Sequence, residues 1–257
     1  MTGIPTYKKK NARKFFAKNY KLDFDSSIAT MSEFVLWHCT VLCLASYASD
    51  PIQRLLDLDL CNNSFYACSV SDDGAVEGRY IIARALCPLS KPHVFICFRG
   101  THNKIDVLAD INIMPSLSEL GTIHAGFDSR SMAFPLPALL AEISSGSHVV
   151  FTGHSLGGAC AIALAARFFN KYGQFSYADG EVKCVTFGSP LVGDSTVSKY
   201  MNRRVQHFHN YIHAKDIVPI SLTILRDVLP LLVKPVLLAA GVSNTVAAQA
   251  QPVANMV

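Results

Sequence analysis

Residues 151–169 read FTGHSLGGACAIALAARFF, and the reading of this stretch decides the fold. Gly153-His154-Ser155-Leu156-Gly157 fits G-x-S-x-G, with Gly158 directly after it. The flanks carry more information than the match. Ahead of it, SHVVF (147–151) is a short β-branched run that predicts a buried strand. Behind it, GACAIALAARFF (158–169) is rich in Ala and predicts a helix packed tightly on that strand. A serine on so sharp a strand-to-helix turn is forced outward, and only small neighbours let the two arms of backbone approach. The helix that follows aims its N-terminal N–H groups and positive dipole end at the serine oxygen. Ser155 is therefore read as a nucleophile rather than as a small residue that fills a turn.

The chain around this stretch has 257 residues, of which 50% are hydrophobic and 16% charged. That suits one α/β domain with a substantial core and excludes a disordered chain. The net charge of +4 hides an asymmetry. Seven basic residues and no acid lie in the first 22 positions, leaving 16 basic against 19 acidic residues elsewhere. The basic arm reads as a solvated tail rather than an anchor for anionic lipid, and nothing else points to nucleic acid. It is followed by FFAKNYKLDFD (15–25), where a secretory signal would carry an uncharged apolar run. FVLWHCTVLCLASYA (34–48) is short for a membrane span and reads as a buried helix. The eight cysteines have no zinc-ligand spacing, and Cys97, Cys160 and Cys184 sit in apolar runs. Free thiols in a reducing compartment, with a cytoplasmic location, are the expectation.

Along the chain, SFYACSVS (64–71), GRYIIARAL (78–86) and HVFICFRG (93–100) read as strands. HNKIDVLADI (102–111) has helical spacing, and residues 125–143 read as helix interrupted by Pro135 and Pro137. After the elbow come a strand in EVKCVTFG (181–188), a helix from about Asp194 to Arg203, and a strand and turn in HFHNYIHAKDIVPI (207–220). Strands alternating with helices imply a mainly parallel sheet with helices on both faces. The expected organisation is an arm over residues 1–33, one α/β domain over 34–220, and an atypical segment over 221–257. That last segment is apolar, interrupted by Pro230 and Pro235, and then small, polar and low in complexity.

A serine hydroxyl needs a base, an orienting acid and an oxyanion hole. FRGT (98–101) ends a strand ahead of the elbow, where Thr101 can offer N–H and hydroxyl alongside the N–H of Leu156. Asp216 in HAKDIVPI sits downstream of Ser155 at a strand end, and Asp194 is its competitor, readable equally as a helix cap. Taken together these residues resemble a class 3 lipase, a branch of the α/β-hydrolases. The segments that match are FRGT, IHAGF (123–127), GHSLGGA (153–159), TFGSPLVGD (186–194) and KDIVPI (215–220), with LASYASD (44–50) similar to the family's first helix and turn.

The resemblance implies hydrolysis of lipid carboxylic esters, triacylglycerol-lipase-like, at a membrane or droplet surface and without a cofactor. It makes Ser155 the nucleophile, Thr101 with Leu156 the oxyanion hole, and Asp216 the orienting acid. Residues 102–111 fall where several members of the family place a short amphipathic lid, and read otherwise as an ordinary surface helix. His124 and His154 are read as structural.

One part departs from the family. Its catalytic histidine should follow Asp216, yet none of the 41 residues from Ile217 to Val257 is a histidine, and the last is His213. His207 and His209 share one face of a strand and are weak substitutes. Three accounts stand: an altered chain ending, a lipase-like protein that has lost catalysis, or a histidine moved into place.

Overall fold

A computed structural model of the chain describes residues 33–58, 65–71, 80–86, 91–101, 115–144, 146–173 and 181–213. Residues 1–32 of the basic arm, the helix expected over 102–111, KDIVPI with Asp216, and the segment 221–257 all lie outside the described residues.

Eight strands and six α-helices are described: β1 Phe65–Val70, β2 Tyr80–Ala85, β3 His93–Phe98, β4 Pro115–Ser118, β5 Gly121–His124, β6 His148–His154, β7 Val182–Phe187 and β8 Phe208–Tyr211. The helices are α1 Glu33–Ser46, α2 Pro51–Leu58, α3 Ala125–Met132, α4 Leu136–Ser144, α5 Leu156–Tyr172 and α6 Ser195–Asn202. Six strands form the main sheet in the order β1-β2-β3-β6-β7-β8. The pairs β1–β2 and β2–β3 are antiparallel, whereas β3–β6, β6–β7 and β7–β8 are parallel, so the sheet is mostly parallel as expected.

Both faces of the central strands are covered, which explains why β3 is apolar without alternation. Its Val94, Ile96 and Phe98 join one core cluster with α5, Phe127 of α3 and Leu139 of α4. Phe95 and Cys97 point the other way and pack with Val35, Cys39 and Leu42 of α1. Every residue of β3 is buried. In α5, 14 of 17 residues are buried, so a helix apolar all round lies inside the molecule. The run at 34–48 is likewise a core helix of 14 residues, and no described helix is long and apolar enough to cross a membrane. The six described cysteines are free thiols, and burial pushes the Cys160 thiol up to about 11.

Two elements escaped the sequence reading. The helix α2 carries the signature of a start, since Pro51 takes the first helical position and the Asp50 carboxylate accepts from the Gln53 N–H at 2.9 Å. The hairpin β4–β5 has only four residues per strand, too few for an alternating pattern to show. The expected interruption of the helix over 125–143 falls at Pro135, between α3 and α4, whereas Pro137 lies inside the first turn of α4.

Candidate active site

The elbow is the place where β6 ends and α5 begins. Its last strand residue is His154 and its first helical residue is Leu156, so Ser155 alone makes the turn. Among the described residues it is the one non-glycine with positive φ, at φ 55° and ψ −128°. A conformation so sparsely populated costs about 1–3 kcal/mol and persists only where the surroundings over-determine it. They do so here. The Ser155 N–H donates to the Phe187 carbonyl at 2.9 Å, and the Ser155 carbonyl accepts from Gly158 at 2.9 Å. A Cβ on Gly153 would overlap the Gly157 carbonyl, and one on Gly157 would overlap the Phe98 carbonyl and the Arg99 backbone. Backbone therefore touches backbone on both sides of the turn, as the pattern of small residues predicts.

Ser155 is 6% exposed and Leu156 is 1% exposed. Leu156 opens α5, so its N–H is among the first-turn donors that have no intrahelical acceptor. Thr101 stands one residue beyond Gly100, and Gly100 packs against the His154 carbonyl, so Thr101 flanks the elbow. The fold thus brings together three of the four residues chosen from sequence, Ser155, Leu156 and Thr101. The fourth, Asp216, lies outside the described residues.

The competing acid has another task. The Asp194 carboxylate accepts from the N–H groups of Thr196 (2.8 Å), Val197 (3.1 Å) and Thr122 (3.1 Å), capping α6 and tying it to β5. Partial burial pushes its pKa up, but these N–H donors outweigh that and hold it below the usual carboxylate value.

The histidines are engaged elsewhere. His154 Nδ1 shares a 2.8 Å hydrogen bond with the Tyr47 hydroxyl, and His124 is fully buried with its ring edge-on to Phe127. His207 Nδ1 donates to the Val182 carbonyl at 2.9 Å, at the end of β7 remote from Ser155, which removes it as a substitute base. His209 pairs with Val185 midway along β7, and burial pushes its pKa down. Tyr47 falls within LASYASD, to which motif reading gave no part in the site. Among the described residues no group of His, Cys, Asp and Glu is placed to hold a metal ion.

A family model described as Lipase (class 3) matches residues 95–225, just over half of the chain. The chain belongs to the class 3 lipase family. The matched stretch takes in Thr101, the elbow and Asp216. Among curated relatives, Protein EDS1B of Arabidopsis thaliana is 33% identical over 132 residues, covering 50% of this chain and 20% of that protein. A lipase of Rhizopus niveus is 29% identical over 134 residues, covering 49% of this chain and 34% of the lipase. Lipase-like PAD4 of Arabidopsis thaliana is 40% identical over 76 residues, covering 28% of this chain and 13% of PAD4. The chain therefore spans between 13% and 34% of these relatives' length. Among solved structures, the native Rhizomucor miehei lipase propeptide complex has a TM-score of 0.57 at 23% identity, covering 74% of this chain and 64% of that one. Lipase II from Rhizopus niveus has a TM-score of 0.58 at 20% identity, covering 74% and 75% respectively. The fold of this class 3 lipase chain is that of an α/β-hydrolase.

Proposed function

We propose that this chain is a serine hydrolase that cleaves carboxylic esters of lipids, triacylglycerols included, through an acyl-enzyme on Ser155. The observation that carries the reading is the strained Ser155 backbone, held by glycine contacts at a position where an ordinary turn would take glycine itself. The Ser155 hydroxyl attacks the ester carbonyl carbon as a general base takes its proton, and negative charge moves to the carbonyl oxygen. The N–H groups of Leu156 and Thr101 receive that charge. Collapse expels the alcohol, which takes up the proton, and water then releases the fatty acid and frees the serine. Asp216 is the carboxylate assigned to orient the base. His207 is not that base, because it sits at the end of β7 remote from Ser155.

A second reading keeps the scaffold without turnover, as a unit that binds an apolar ligand or a protein. Two observations favour it. The histidine nearest Ser155 in sequence is bound to Tyr47. A cleft of about 300 Å³ opens between α5, α6 and the β7–β8 edge, lined by Ile162, Val192, Met201 and Phe208 and rimmed by exposed Leu191 and Val205.

Labelling of the purified chain with a fluorophosphonate, beside Ser155→Ala, separates the two. That reagent reports an activated serine and so tests nucleophile and base together. Labelling of the wild type that disappears in Ser155→Ala is the expected result. A folded wild type that takes no label supports the second reading, since loss of a triad member costs about 10⁴-fold or more.

A further inference from the structure

The two arms of the site hang from neighbouring strands. β3 and β6 pair in parallel as far as Phe98 opposite Gly153, and beyond that register the ladder stops. Arg99, Gly100 and Thr101 run on from one strand, and His154 and Ser155 from the other, with no strand pairing to fix their separation. An oxyanion hole built from one N–H on each arm needs that separation held to about 0.5 Å. Something other than the sheet must hold it.

Tyr47 stands where such a tie is required. It is the first residue past α1, whose last turn is closed by Ser46 Oγ donating to the Cys43 carbonyl at 2.8 Å and continues through Ala48 N–H to the Ala45 carbonyl at 3.0 Å. α1 lies across the sheet face formed by Phe95 and Cys97 of β3 and Val150 of β6, so its C-terminal turn delivers Tyr47 above both strands. The Tyr47 hydroxyl hydrogen-bonds His154 Nδ1 at 2.8 Å, and the two rings meet edge to face at 5.8 Å. The same hydroxyl stands against Gly100: a Cβ there would overlap the Tyr47 hydroxyl oxygen on one side and the His154 carbonyl on the other. One side chain therefore touches the oxyanion loop and the residue before the nucleophile at once.

We propose that Tyr47 is a positioning residue, a clamp that fixes the loop bearing Thr101 against the turn bearing Ser155. Gly157 does the corresponding work at the other end of the arms, where α5 abuts Phe98 and Arg99. The glycine at position 100 is required because the clamp occupies the space of its side chain. The catalytic consequence rests on the hydrolase reading above, whereas the clamp itself acts with or without turnover.

The test compares wild-type chain with Tyr47→Phe, which keeps the ring and removes the hydroxyl, and with His154→Gln and the double variant. Amide hydrogen exchange is followed by mass spectrometry in peptides covering residues 97–101, 152–158 and 160–172. Fluorophosphonate labelling rates are measured in the same samples. Tyr47→Phe is expected to speed exchange about tenfold in the first two peptides together, the worth of one buried hydrogen bond, and to leave the third unchanged. The double variant is expected to add nothing to either single one. Labelling of a reactive wild type slows about tenfold, and with a short-chain ester the loss falls on kcat while KM stays constant.

Exchange in the first two peptides that does not respond to Tyr47→Phe overturns the clamp. A rise spread over all three peptides also overturns it, because that is general loosening. Unchanged labelling in a reactive protein does the same. A wild type that takes no label while the two peptides loosen together retires the hydrolase reading and leaves the clamp standing.

Discussion

At the carboxyl ends of β3 and β6 the chain passes through Gly100, Gly153 and Gly157, and backbone lies against backbone. At their amino ends the same strands begin with His93 and His148, which face each other across the parallel register, and side chain lies against side chain. The His93 ring is 4.8 Å from His148 and 5.1 Å from Phe34, and stacks on Phe95 at 5.9 Å. His38 stacks on the same phenylalanine, 5.4 Å from Phe95, and lies edge-on to Phe65. Burial, with His148 beside it, pushes the His93 imidazole down to about 4, and burial lowers His38 and His148 as well. Burial disfavours the charged form of each, and His38 and His93 are packed into the core. The contrast teaches that histidine count says nothing about a base: at one end histidines fill a core, and at the other His154 serves as a hydrogen-bond partner for Tyr47.

The comparison breaks first at Gly157. Gly157→Ala places a methyl against the Phe98 carbonyl and Arg99 backbone and is expected to cost about 3 kcal/mol in urea unfolding, with loss of labelling at Ser155. His93→Leu, a change of similar volume at the opposite end, is expected to cost under about 1.5 kcal/mol at pH 7.

Acid sharpens the contrast. The folded-state pKa of His93 lies below its ordinary value of 6.5, so the unfolded chain binds the proton first. Stability is full above pH 6.5 and declines as pH falls towards 4, with His38, His148 and Lys183 the titratable and charged groups that bear on His93. Urea midpoints measured from pH 7 to 4 are expected to fall less steeply in His93→Leu than in the wild type. Equal slopes would mean that the amino-end cluster does not govern the acid limb.

The smallest effect belongs to Asp194. Asp194→Ala removes the cap of α6 and the bond to Thr122, expected to cost about 1–2 kcal/mol in urea unfolding while labelling of Ser155 stays at the wild-type rate. A labelling rate that collapses without unfolding would return Asp194 to the catalytic inventory.

Much of the fold is legible in sequence because its elements announce themselves locally. The continuous apolar run of β3 and the β-branched run ahead of Ser155 read as buried strands, and both have covered faces in the structure. The hairpin β4–β5 was illegible because four residues are too short for a period. The helix α2 was legible in principle, through Asp50 and Pro51, but its mostly exposed face gives no apolar run to draw attention. Of the candidate site, Ser155, Leu156 and Thr101 were chosen from glycine spacing and strand ends. Tyr47 lies within LASYASD, yet its task was not readable there, because its partner His154 is 107 positions away.

By itself the sequence determined where most strands and helices form, that residue 155 is a serine in a glycine-lined bend, and that none of residues 214–257 is a histidine. These are properties of neighbouring residues, governed by side-chain period and by the space a missing Cβ leaves. Only the tertiary structure decided what each polar residue is for. Packing α1 across β3 and β6 brings Tyr47 to His154 and Gly100, docking α6 on β5 turns Asp194 into a cap, and the parallel register seats His93 beside His148. Contacts made across a hundred positions follow from which faces bury together, and no local pattern in the chain encodes them.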